Sequence, residues 1–156
     1  MKPSEIRYLV RYWLPVALAM FFIFFMSSGT FSATNTSRFI VPLLHFFFPD
    51  MTAARIDLIH ALIRKCGHLA EYFILSFALF RAFRGESSKR WSLSWALWAL
   101  TILIAFAFGD EFHQSFVPSR TASLSDVAVD VVGGMLAQLT IAGRGLIVRT
   151  GREFSR

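Results

Sequence analysis

From Tyr12 to Ser37 the chain carries no charged residue, and its most apolar part, Trp13 to about Ser28, is long enough for one helix across a bilayer. Pro15 falls in the opening turn of that helix, where proline is tolerated. Ser27 to Ser37 is rich in Ser, Thr and Gly and reads as a loop. Phe39 to Phe48 is apolar again but short and interrupted by Pro42, so it predicts a segment that lies in the interface or re-enters the membrane. From Thr52 the pattern turns helical, with Ile56, Ile59, His60 and Ile63 on one face and Arg55, Asp57 and Arg64 on others, which predicts a short amphipathic helix. Lys65 to Arg84 follows as about 20 residues, roughly 30 Å of helix and one bilayer core. Trp91 to Gly109 has no charge, and a last apolar run begins near Asp126, behind a Ser123-Leu124-Ser125-Asp126 capping pattern. The expected architecture is all-α, a polytopic membrane protein with a four-helix bundle in one domain, 1–156, and spans at about 12–28, 65–84, 91–109 and 126–143.

Composition supports that pattern. With 55% hydrophobic residues, 18 Phe, 4 Trp and a mean hydropathy of +0.54, the 156-residue chain is too apolar for an ordinary soluble domain. The net charge of +6 would point to nucleic acid in a soluble protein, but here the basic residues cluster beside apolar runs, as orientation signals do. Nucleic acid is therefore not expected as a partner. Four spans put the amino terminus, the 81–91 turn and the tail (Arg144, Arg149, Arg152, Arg156) on one side, and those segments hold 11 of the 16 basic residues. The positive-inside rule makes that side cytoplasmic. The first run lacks an Ala-x-Ala cleavage site and is expected to remain as a span. The single cysteine, Cys66, allows no intramolecular disulfide.

Charge then picks out candidate chemistry. Under this topology His68, Glu71, Asp110, Glu111, His113, Asp126 and Asp130 all fall on the external half, at helix ends or below them, where an unpaired charge is costly and a functional role is the default. Lys65, His68 and Tyr72 share a helix face, with Glu71 three residues from His68; Asp110, His113 and Gln114 form a second stripe, and Asp126 with Asp130 a third. Three helices thus present carboxylates at similar depth, with Lys65 and Arg120 as the nearest cations, which predicts a site for a polar or anionic group. The structural alternative is mutual neutralisation, Lys65 or Arg120 pairing with Glu71 and Asp126 capping its helix. Glu71, Asp110, Glu111, His113 and Asp126 are the candidates for acid/base chemistry. No cofactor is expected, the weaker alternative being a divalent metal on His68, Glu71, Asp110 and His113. His45 and His60 read as interfacial or packing residues, Phe46 to Phe48 as an anchor, and Gly133-x-x-x-Ala137 as close helix packing. The serines near His113 lack the strand–turn–helix elbow of a serine nucleophile.

Lys65-x-x-His68-x-x-Glu71-Tyr72, then Asp110-Glu111-x-His113-Gln114-x-Phe116-x-Pro118-x-Arg120, Asp126-Val127 and the pair Gly133-Gly134 resemble the VanZ-like family of small bacterial membrane proteins. Two blocks carry the resemblance, about 65–84 and 109–135. It implies a bacterial plasma-membrane location and a role at the cell envelope, in resistance to glycopeptides such as teicoplanin, and it implies no particular reaction. Two positions depart from the pattern: Ser119 where glycine is frequent, and Asp130 where asparagine is. Ser119-Arg120 followed by Asp126 and Asp130 is also similar to the third signature of lipid-phosphate phosphatases, with Asp126 replacing the nucleophilic histidine. The expected partners are membrane lipids and a lipid-linked cell-wall precursor or glycopeptide; the alternative is a hydrolase or transferase acting on a lipid-linked phosphate or sugar. The sequence leaves the oligomeric state open.

Overall fold

Residues 2–120 and 123–153 are described by the computed structural model, and they are all-α. Five helices follow one another: α1 (Pro3–Met26), α2 (Ala33–Phe47), α3 (Ala53–Arg84), α4 (Leu93–Gln114) and α5 (Leu124–Glu153). The segments Pro3–Met26, Leu93–Gln114 and Leu124–Arg144 are each long and apolar enough to cross a membrane. α3 carries more charge, yet its Tyr72, Leu75, Ser76, Leu79 and Phe80 are buried among the other three. The chain is a multi-pass membrane protein.

Side-chain contacts fix the helix directions. The Tyr8 hydroxyl lies 3.5 Å from the Ala82 carbonyl and Trp13 packs edge-on against Phe83, so α1 starts where α3 ends. Phe80 meets Trp95 and Tyr72 meets Phe106, so α4 also runs against α3. α5 runs with α3, because Ser76 Oγ donates to the Gly134 carbonyl and Gln138 Nε2 donates to Ser76 Oγ. Close approach of these two helices depends on Gly133, where a Cβ would collide with the Leu69 carbonyl, and close approach of α5 to α4 depends on Gly134, where it would lie 2.6 Å from Leu103. Small residues of α4, Ala96, Ala99 and Ala107, face the same core. Around it Phe21, Phe22, Phe24, Phe25, Trp98 and Leu139 are exposed, as side chains facing lipid should be.

Several boundaries differ from expectation. α1 begins at Pro3 rather than near residue 12, and a wide π turn at Leu9–Trp13 lets the Leu14 amide reach the Leu9 carbonyl. Pro15 has no N–H for the Arg11 carbonyl, and the wider turn absorbs that loss. The loop expected over 27–37 is shorter: Gly29–Phe31 form a 3₁₀ turn and Ser32 caps α2, accepting from the Asn35 amide. Pro42 does not break α2; it is exposed inside the helix, which at roughly 1.5 Å per residue is too short to cross a bilayer. The two elements expected over 52–64 and 65–84 are one continuous helix, because Gly67 has no following turn residue to stop it. α4 runs past Gly109 to Gln114, and α5 starts at Leu124 and continues beyond 143. Arg156 of the basic tail lies outside the described residues.

Candidate functional site

The loop after α1 and the ends of α3, α4 and α5 meet at one end of the bundle. Asp110, 3% exposed, accepts a 2.6 Å hydrogen bond from Ser27 Oγ and a 3.0 Å bond from Gln114 Nε2, all on Oδ2. Gln114 also reaches Ser27 Oγ at 3.3 Å. A helical turn brings Asp110 and Gln114 together, and α1 delivers Ser27 at its final turn. This buried knot holds α1 to α4. Ser27 had read as loop polarity, since nothing in its own neighbourhood marks a partner 83 residues away.

Arg120 sits in the loop between α4 and α5. Its Nη2 donates to the carbonyls of Met26, Ser28 (3.3 Å) and Phe31 (3.0 Å), so one nitrogen closes the orphan carbonyls at the end of α1 and its following turn. Burial, and then Arg64, lower its pKa below the ordinary arginine value, but a guanidinium stays charged at physiological pH. Nε has no hydrogen-bond partner among the described residues. Glu111 has a structural task too: its carboxylate accepts from the Ser123 amide, tying the end of α4 to the start of α5.

His68 of α3 faces Asp130 of α5, with Nδ1 to Oδ1 at 3.4 Å and both groups largely buried. The two side chains face each other, and neither of these atoms has a hydrogen-bond partner among the described residues. The Tyr72 hydroxyl, fully buried, and Asp110 Oδ1 are likewise unpartnered among the described residues. His68 and Asp130 join α3 to α5 in a largely buried polar centre.

A cavity of about 210 Å³ opens onto this centre. Arg64, His68, Glu71 and Arg120 supply its charge, while Met26, Phe31, Ile40 and Ile63 supply apolar wall. Two guanidiniums, a carboxyl and an imidazole in a hollow with apolar walls suit a ligand with an anionic group and an apolar body. Thr36 of α2 also borders the cavity, and its hydroxyl lies 3.0 Å from His60 Nε2 of α3, which holds α2 over the opening.

Not every expected residue reaches the cavity. Lys65 is exposed and borders only a hollow of about 100 Å³ beside His68 and Asp126; Arg64, expected on another face, takes the cavity position. Lys65 does share a hollow with His68, as the spacing predicts, but it is the smaller one beside Asp126. Asp126 meets Ser125 Oγ at 3.3 Å at the start of α5. His113 stacks on Phe24 at 4.3 Å between ring centres, and its Nδ1 is buried without a partner among the described residues. No three His, Cys, Asp or Glu side chains among the described residues gather closely enough to hold a metal ion, so His68, Glu71, Asp110 and His113 do not form the ligand set weighed from spacing.

The family model described as VanZ/LLP1 matches residues 12–146, which takes in α1 from Tyr12 on, all of α2 to α4 and most of α5. No curated protein and no solved structure matches the chain.

Proposed function

Because the chain belongs to the VanZ/LLP1 family, we propose that it is a bacterial envelope protein whose cavity binds the anionic group of an envelope lipid, a lipid-linked cell-wall precursor or a glycopeptide of the teicoplanin type. The observation that carries this reading is that Arg64 and Arg120 both line a cavity whose other walls are largely apolar. The arginines meet a phosphate or carboxylate, and Glu71 and His68 meet amines or sugar hydroxyls. The termini are cytoplasmic by the distribution of the basic residues, which turns the cavity to the outer leaflet.

A second reading makes the same site a hydrolase or transferase for a lipid-linked phosphate or sugar. Glu71 favours it, being the carboxyl that lines the cavity with the His68–Asp130 pair behind it. In that role Glu71 transfers the proton and Arg120 stabilises developing negative charge. Asp110 and Glu111 are occupied by their own hydrogen bonds and are weaker candidates.

One experiment separates the readings. Wild type, Arg64→Gln and Glu71→Gln are expressed at matched levels in a teicoplanin-sensitive cell, and survival and the pool of lipid-linked precursors are measured. Binding-based resistance raises survival with wild type and loses it with Arg64→Gln. Survival unchanged by wild type overturns the resistance role, and a precursor that accumulates only with Glu71→Gln moves the site to the enzyme reading.

A further inference from the structure

The opposite end of the bundle holds a second concave site, and we propose that it binds the phosphate headgroup of an anionic phospholipid in the leaflet opposite the cavity. The site is a hollow of about 310 Å³ bordered by Ser4, Arg7, Tyr8, Arg11 and Glu86. It lies beside the π turn of α1, where Tyr8 approaches Tyr12 at 4.9 Å between ring centres. Such turns mark functional positions more often than ordinary helix does.

The surroundings then fix the arginines. Arg11 of α1 and Arg81 of α3 each place a guanidinium 5.4 Å from the centre of the Tyr12 ring, and Tyr12 itself is buried. The Tyr12 ring thus holds a cation from each of two helices, a contact that attracts guanidinium strongly when water is partly excluded. Tyr8 lies against Gly85, whose φ is +52 and where a Cβ would come within 2.7 Å of the Tyr8 hydroxyl. Two guanidiniums, Arg7 and Arg11, border the hollow with the one carboxylate of Glu86, while Glu5 accepts from the Lys2 amide.

What distinguishes a lipid from a free phosphate is the flank. Ile6, Leu9, Val10 and Leu14 are exposed along the same helix, beside a shallow hollow that includes Leu9 and Tyr8. Acyl chains find apolar surface there, directly below the basic hollow. Basic pockets between transmembrane helices at a membrane boundary recognise lipid headgroups by this combination. Glu86 at the rim is placed to accept from headgroup hydroxyls, so phosphatidylglycerol fits better than a bare phosphomonoester.

The test uses the full chain in nanodiscs of phosphatidylcholine doped with phosphatidylglycerol. Lipids retained on release into detergent are weighed by native mass spectrometry for wild type, Arg7→Gln/Arg11→Gln and Arg55→Gln, an exposed arginine outside both hollows. Wild type and Arg55→Gln should retain phosphatidylglycerol over phosphatidylcholine, and the double variant should lose roughly tenfold or more of that preference. A thermal melt of each sample checks folding, and Arg7→Lys/Arg11→Lys, which keeps the charge, should recover part of the preference. Equal retention of the two lipids by wild type overturns the proposal, as does a preference that survives in the folded double variant. Displacement of the lipid by soluble glycerol 3-phosphate overturns it too, assigning the hollow to a free phosphate.

Discussion

Ser27 and Asp110 show how one short hydrogen bond decides a helix contact in a membrane. In water the Ser27 hydroxyl would find other partners, but buried between α1 and α4 it has only Asp110 and Gln114. Asp110→Ala leaves the Ser27 hydroxyl without this acceptor and Gln114 with only its longer contact to Ser27, and should destabilise the protein by about 1–3 kcal/mol, whereas Asp110→Asn keeps an acceptor and should cost less. Thermal unfolding in detergent measures both, and a double-mutant cycle with Ser27→Ala should give a coupling near 1 kcal/mol. Equal melting of the Ala and Asn variants would mean that the bond does not hold the helices. Arg120→Lys is not conservative, because a single ammonium cannot reproduce the guanidinium's grip on three carbonyls and still reach the cavity. It should lower both the melting temperature and any ligand binding, while Arg64→Gln lowers binding alone.

At the level of elements, α3 and α5 depend on glycine and α2 depends on a single polar tie. Gly133→Ala forces a methyl against the Leu69 carbonyl, and separating two packed helices should cost about 1–3 kcal/mol in the same melt. α2 has no fully buried residue among its 15, and Phe39, Phe46 and Phe47 are exposed. Its anchors are the Thr36–His60 contact and the Ser32 cap. His60→Leu should therefore speed amide exchange across α2 and leave α4 unchanged; equal acceleration in both would show that α2 is part of the bundle's cooperative unit. α1 and α4 were legible because charge-free runs of bilayer length have few other solutions, and α3 and α5 because their apolar runs are interrupted by few charges. Boundaries were not. The 27–37 loop and the break near Thr52 to Lys65 were read from polarity, but polar residues at a membrane surface continue a helix as readily as they end one. The site was legible as residue types and hidden as pairings. Periodicity found His68, Glu71 and Asp130, but it could not separate Arg64 from Lys65, neighbours whose difference depends on the phase of an unbroken α3. Nor could it assign Glu111 to the Ser123 amide, a contact that exists only once the loop from α4 to α5 has closed.

For the whole molecule, four long helices of alternating direction imply that the turn from α3 to α4 and the loop from α4 to α5 face opposite sides of the membrane. The first turn carries Lys89 and Arg90 and lies near the basic hollow; the second carries Arg120 and borders the cavity. Positive residues then predict that the first side is cytoplasmic. Ser88 and Ser119 are exposed, one in each connection, and Cys66 is the single native thiol. In a Cys66→Ser background, Ser119→Cys should react with a membrane-impermeant maleimide added to intact spheroplasts, and Ser88→Cys should react only after lysis. The reverse pattern would invert the protein and turn the cavity to the cytoplasm, removing extracellular glycopeptides from its ligands. Labelling of both positions before lysis would show that α4 does not cross, since it is the helix between them.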